Sequence, residues 1–163
     1  MQIPVRFRVI FMSFLAVFIC YIDRVNISVA IIPMPEQFGW SESQVGIIFS
    51  SFYLGYIFTM TIGGFLADRY GGKLVLGYGL LLWSLFTVLT PAFAYNGFFA
   101  ILTIRVLMGL GEGITFPSWH ALYARWIPFE ERTRSIAITN SGISVGTVFG
   151  YLVTSLIIAS YSW

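Results

Sequence analysis

A chain of 163 residues that is 58% hydrophobic, 10% charged and +2 in formal charge is too apolar for a soluble globular domain, of which roughly a quarter is charged. The same arithmetic excludes a disordered chain and a nucleic-acid binder resting on a basic patch, and the single cysteine, Cys20, excludes a disulfide framework or a Cys-rich zinc site. What remains is an integral membrane protein, with 16 Phe, 5 Trp and 9 Tyr available for a bilayer-facing surface.

A transmembrane helix needs about 20 mostly apolar residues. The first such stretch covers residues 9–32. Arg6 and Arg8 precede it as the n-region of a signal peptide would, but no small-x-small cleavage site follows, and the apolar character resumes after Asp23 and Arg24. An uncleaved first span is expected. Pro33 and Pro35 stop it, and Ser41 followed by Glu42 and Gln44 caps a second span over 45–66. Gly71 and Gly72 make a tight turn into a third span over 74–93, whose end Pro91 weakens. The fourth covers 98–123, Pro128 breaks the chain after it, and the fifth covers 136–159. Open sheet cannot satisfy its backbone in lipid, so the expected fold class is an all-α integral membrane bundle. It leaves no soluble domain, linker or low-complexity tail within residues 1–163.

The basic residues predict orientation. Arg6 and Arg8 precede span one, Arg69 and Lys73 lie between spans two and three, and Arg125, Arg132 and Arg134 lie between spans four and five. The other two short loops carry only Glu36 and Glu42. A multi-pass protein with a cytoplasmic N-terminus follows from the excess of Lys and Arg on cytoplasmic loops.

Four ionisable groups are left at membrane depth: Asp23, Arg24, Arg105 and Glu112. Each is costly in lipid and has to face protein or water. One reading is structural, with buried pairs holding helix one against helix four. The other is a substrate and proton pathway. An arginine in a low-dielectric cavity offers a bidentate clamp for a carboxylate or phosphate, and a carboxyl beside it can change protonation as the cavity opens and closes. Arg105 and Glu112 are two helical turns apart and share a face, as do Tyr21 and Arg24, whereas Asp23 points about 100° away from Arg24. His120 reads as a hydrogen-bonded interfacial residue. In span five, Gly142, Gly146 and Gly150 repeat at the spacing of close helix packing. In span four, Gly109, Gly111 and Gly113 surround Glu112, where packing alone is a weaker account and room for a substrate or a bend is expected.

Gly64, Leu66, Ala67, Asp68, Arg69, Gly71 and Lys73 together resemble the loop signature of the major facilitator superfamily between its second and third helices, departing only at Gly72, where a basic residue is usual. Arg105, Gly109 and Gly111 are similar to the superfamily's fourth-helix signature. Tyr21, Asp23, Arg24, Asn26, Ser28 and Ala30 resemble the first helix of the anion:cation symporters. Gly109 through Pro117, and Trp126 through Arg132, match that family's fourth helix and following loop. This family includes sugar-acid/proton symporters, phosphate transporters, sialin and vesicular glutamate transporters.

The resemblance implies alternating-access transport of a small organic anion or phosphate, by symport with H+ or with Na+, and without a cofactor or metal. It puts Arg24 and Arg105 beside the central cavity, matches Tyr21 and Tyr56 to tyrosines lining the sugar-acid site, and gives Asp23 and Glu112 proton-coupling roles. It makes the loop of Gly64, Asp68, Arg69, Gly71 and Lys73 a cytoplasmic gate. Thr147 stands after Gly146 where superfamily antiporters carry proline, which disfavours drug/proton antiport. Superfamily members have twelve helices in two halves. The expected domain is therefore most of an N-terminal six-helix half, with Tyr161, Ser162 and Trp163 as the external turn toward helix six and the C-terminal half as the missing partner. The lipid bilayer and a small anion are the other partners, and nucleic acid is not one. Two alternatives stay open: a truncated membrane fragment or partner-binding subunit that does not transport, and a neutral-solute carrier of the same fold. An enzyme is not expected, since the sequence shows no Ser/His/Asp set and Cys20 has no base beside it.

Overall fold

The computed structural model describes residues 4–161, which fold into seven helices with no strand among them. These are α1 (Val5–Ala30), α2 (Met34–Phe38), α3 (Glu42–Tyr70), α4 (Gly72–Tyr95), α5 (Phe98–Gly113), α6 (Thr115–Trp126) and α7 (Phe129–Tyr161). Ser162 and Trp163, in the expected external turn, lie outside the described residues. Five segments are long and apolar enough to cross a membrane: Val5–Ala30, Glu42–Tyr70, Gly72–Tyr95, Phe98–Trp126 and Phe129–Ser160. At 1.5 Å per residue even the shortest is about 36 Å long, beyond a hydrocarbon core of about 30 Å. The polar helix ends therefore stand outside the apolar layer.

The stops and starts have local causes. The Ser41 hydroxyl accepts from the Gln44 amide while the Gln44 side chain accepts from the Ser41 amide, a complete capping box at the head of α3. Gly71 alone separates α3 from α4; its φ of 89° and ψ of 132° suit glycine and almost nothing else. Pro91 is accommodated inside α4, which continues to Tyr95. The fourth span is not one unbroken helix as expected. It pauses at Ile114 because Pro117 has no N–H to donate to the Gly113 carbonyl and crowds it. The short α2 was not foreseen either. Its Phe38 stacks on Trp40 at 4.8 Å and meets Tyr95 edge-on at 5.5 Å, while Trp40 reaches Phe98 at 6.4 Å, an aromatic cover over the corner joining α4 and α5.

The described residues form two compact units, 4–33 with 122–161, and 34–121. In the first, α1 packs on α7. A Cβ added at Gly142 would meet Phe14 O at 3.0 Å, one at Gly146 would meet Phe18 O at 2.5 Å, and one at Gly150 would meet Ile22 Cα at 3.2 Å. Both helices thus present every fourth residue, in ascending order on each, so they run parallel in close backbone contact. Side chains join the two helices at both ends. Arg6 donates to Glu131 at 3.0 Å, and Thr154 donates to Asn26 at 3.2 Å. Tyr123 of α6 hydrogen-bonds Thr139 of α7, and Arg132 donates to Ala124 O at 2.8 Å and Ile127 O at 3.1 Å, closing the end of α6.

In the second unit α5 is the central helix, packed on α3 and on α4. Gly109 faces Phe52 and Tyr56 of α3, and Gly113 faces Tyr56 and Met60, so α3 and α5 are parallel. Gly111 faces Trp83 of α4 and Met108 faces Thr90, so α4 is antiparallel to α5. Parallel and antiparallel registers fall where successive membrane crossings require them.

Candidate functional site

The unit of residues 34–121 buries two ionisable groups that the sequence places at membrane depth. Arg105 is 4% exposed and Glu112 is 1% exposed, both on α5, with backbones about 10.5 Å apart along the axis. They share α5's buried surface with Ile101, Ile104 and Met108, which is the helical face the spacing predicts.

Arg105 sits in a defined cradle. Its guanidinium carbon lies over the Phe52 ring, 5.0 Å from the centroid, and its Nη1 donates to the Met108 sulfur at 3.7 Å. The Thr90 hydroxyl also reaches that sulfur, at 3.5 Å, while donating to Phe86 O at 2.8 Å. Each of the three helices therefore contributes: the ring from α3, the sulfur from α5, the hydroxyl from α4. Tyr56, half-buried, stacks on Phe52 with ring centroids 5.9 Å apart. The expected tyrosine thus reaches the Arg105 neighbourhood through a residue the sequence did not single out.

Of the two roles expected of the glycines around Glu112, a break in the helix does follow Gly113, but room for a substrate does not. A Cβ at Gly109 would land on Phe52 O and lie 2.9 Å from Tyr56 N; one at Gly113 would land on Tyr56 O and the Thr59 hydroxyl; one at Gly111 would lie 2.9 Å from Trp83 N. Backbone fills all three spaces, so they are helix crossings and not room for a substrate. Gly55 is the reciprocal of Gly109 on α3, with its Cβ position on Val106 O and 2.8 Å from Leu110 N. This double crossing is what presses Phe52 against α5 beneath Arg105.

In the other unit, α1 carries Tyr21, Asp23 and Arg24, all half-buried. The Arg24 guanidinium lies 5.1 Å from the Tyr21 ring centroid, the shared face that a spacing of three predicts. The loop signature occupies the α3–α4 corner. Gly64 is half-buried, Asp68, Arg69 and Lys73 are exposed, and Gly71 makes the turn, with the Arg69 guanidinium 5.6 Å from the Tyr70 ring. His120 is exposed, its Nδ1 2.8 Å from Phe116 O and its ring stacked on Trp119, an interfacial arrangement. Phe52 and Met108 were missed because aromatic and apolar residues in an apolar span carry no distinguishing signal, and Thr90 because a lone hydroxyl in a helix can bond its own backbone, as this one does to Phe86 O. The one available cue was Phe52 four residues before Tyr56, on the same helix face.

A guanidinium shielded from water by a ring, a thioether and helix backbones is a strong fixed positive charge. Such a charge is costly in an apolar interior unless an anion or an acceptor answers it.

Comparison with known proteins places this architecture. Residues 13–163 match the profile of the Major Facilitator Superfamily. The chain is 44% identical over 162 residues to a probable anion transporter 4, chloroplastic, of Oryza sativa subsp. japonica, covering 99% of this chain and 27% of that protein. It is 41% identical over 162 residues to an ascorbate transporter, chloroplastic, of Arabidopsis thaliana, covering 99% of this chain and 30% of that protein. The chain thus spans less than a third of the length of these curated relatives. Among solved structures, it superposes with a TM-score of 0.88 and 26% identity on a bacterial homologue of the human lysosomal transporter Spinster, in an inward-facing and unoccupied conformation, covering 96% of this chain and 33% of that one.

Proposed function

The chain belongs to the major facilitator superfamily, and from that premise we propose that it is the N-terminal part of a secondary active carrier of a small anion, a sugar acid, another carboxylate or phosphate. The observation that carries this reading is the pair Arg105 and Glu112, a base and an acid buried on the central helix of their unit. Intramembrane ionisable groups are expensive and belong by default to substrate or proton pathways. Names of relatives as anion and ascorbate transporters support the anionic substrate. In this reading Arg24 and Arg105 are anion-binding residues, Tyr21 and Tyr56 are substrate-lining residues, and Glu112 with Asp23 couples transport to protons. The Asp68–Lys73 corner is the cytoplasmic gate, and the N-terminus is cytoplasmic.

The coupling argument is thermodynamic. A carboxyl that meets water in one state of the carrier and is closed off in the other binds its proton differently in the two, and so links proton occupancy to the conformational change. An anion held by Arg105 competes for the charge that would otherwise stabilise ionised Glu112, so anion and proton bind together. That gives symport, with H+ as the coupling ion and Na+ as the alternative.

The test is uptake into proteoliposomes by the full-length protein under imposed H+ or Na+ gradients. Glu112→Gln is expected to abolish H+-driven accumulation while leaving substrate counterflow. Well-folded Glu112→Gln protein that still accumulates substrate against a gradient, with the parental pH dependence, would refute the coupling role. Accumulation driven by Na+ alone would replace the coupling ion.

A further inference from the structure

We propose that Phe52 is a positioning residue for Arg105, fixing the plane of the guanidinium in which an anion is held. This rests on the reading of Arg105 as an anion-binding group.

The argument starts from the helix crossing. Two small residues, Gly55 on α3 and Gly109 on α5, each lie against the other helix's backbone, at Val106 and Leu110 and at Phe52 and Tyr56. With α3 and α5 in backbone contact, the buried side chain of Phe52 lies against α5, one turn below Gly109, where Arg105 emerges. The guanidinium carbon lies over the ring, 5.0 Å from its centroid. Carboxylates and phosphates bind a guanidinium in its plane, through paired edge N–H groups. A ring that fixes where the guanidinium carbon lies also fixes where those edge groups are presented. Tyr56 stacked behind Phe52 at 5.9 Å, with Tyr53 edge-on to Phe52 at 5.3 Å, holds the ring itself. On the opposite helix, Met108 supplies a soft acceptor to Nη1 at 3.7 Å, and Thr90 tethers that sulfur to α4. Arginine otherwise loses considerable rotamer freedom on binding; a pre-oriented fork loses less and binds more tightly.

The proposal predicts different consequences for variants of similar bulk. Uptake kinetics of the full-length protein with radiolabelled inorganic phosphate and with ascorbate compare Phe52→Leu, which removes the π face, with Phe52→Tyr, which keeps it. Phe52→Leu is expected to raise KM about threefold to tenfold, the cost of immobilising one rotamer-rich side chain on binding, with Vmax within twofold; Phe52→Tyr stays near parental. In an Arg105→Lys background, which has no planar fork, Phe52→Leu is expected to add no further rise. Equal losses in Phe52→Leu and Phe52→Tyr, with Vmax falling alongside KM, would mark Phe52 as packing and overturn the proposal, as would a rise that persists in Arg105→Lys. Arg105→Gln with parental KM for both probes would instead overturn the anion role on which the proposal rests. A second measurement needs neither transport nor the leucine variant: NMR of 15N-arginine-labelled protein in nanodiscs, with Arg105 assigned by Arg105→Lys. Guanidinium protons over a ring are shifted upfield; Arg105 resonances at the position of solvent-exposed arginines would refute the stacking.

Discussion

The seam between α3 and α5 makes Gly109→Ala a decisive substitution. A Cβ there would land on Phe52 O and lie 2.9 Å from Tyr56 N, and ordinary van der Waals contact begins at 3.4 Å. Even against the nitrogen the shortfall from 2.9 to 3.4 Å is 0.5 Å, and the obstacle is backbone, which cannot swing away as a flexible side chain can. The helices have to part or tilt, at a cost of roughly 1–3 kcal/mol for overpacking. Alanine's better helix propensity returns about 0.5–1 kcal/mol, so a net destabilisation remains. A domain of about 150–250 residues loses roughly 2–4 °C of melting temperature per kcal/mol, and a longer chain less. Gly46→Ala is the matched control, since nothing lies within 4 Å of its Cβ position and it keeps only the propensity gain. Tryptophan-fluorescence melting in detergent should place Gly109→Ala several degrees below Gly46→Ala. Gly55→Ala should behave like Gly109→Ala, and the double variant should lose less than the sum, because one separation of the helices relieves both contacts. Gly109→Ala melting at or above Gly46→Ala would refute the backbone seam, and with it the account of how Phe52 reaches Arg105.

Other substitutions probe the remaining features. Arg24→Lys keeps the charge but loses the planar fork stacked on Tyr21, and should weaken anion binding by about tenfold or more; parental affinity in an equilibrium binding assay would exclude a bidentate clamp at this position. Asp68→Asn should impair transport while leaving membrane insertion intact, and normal uptake would reduce the corner to a solvated anchor. Membrane-impermeant thiol labelling should reach Glu36→Cys but not Glu131→Cys in intact cells; the reverse pattern would invert the proposed orientation. Gly71→Ala forces a Cβ into φ 89°, ψ 132°, at a cost of about 1–3 kcal/mol, and an unchanged melting temperature would contradict the one-residue corner.

Hydropathy located all five spans, because twenty apolar residues leave few alternatives in lipid. The corner at Gly71, the capping box at Ser41 and the span-five glycines were equally legible, since each depends on chemistry local to a few residues. Arg105 and Glu112 stood out by being charged where charge is costly. Phe52 did not, for one aromatic among 16 phenylalanines is marked only by what it touches. Room for a substrate beside the span-four glycines was misjudged for the same reason: sequence shows a missing side chain, but the partner helix decides whether substrate or backbone takes its place. The pause at Ile114 and the short α2 escaped because Pro117 lies beyond the break it causes, and five residues are too few for a periodic signal.

The corner between α3 and α4 also bears on how the protein is made. With only Gly71 between a 29-residue and a 24-residue helix, there is no slack for the first to settle in the bilayer while the second waits outside. The two helices also pack on one another. Inserted together, they form one hairpin with Arg69 and Lys73 at its tip. Whichever side of the bilayer that tip takes, the orientation of both helices is decided with it in a single step.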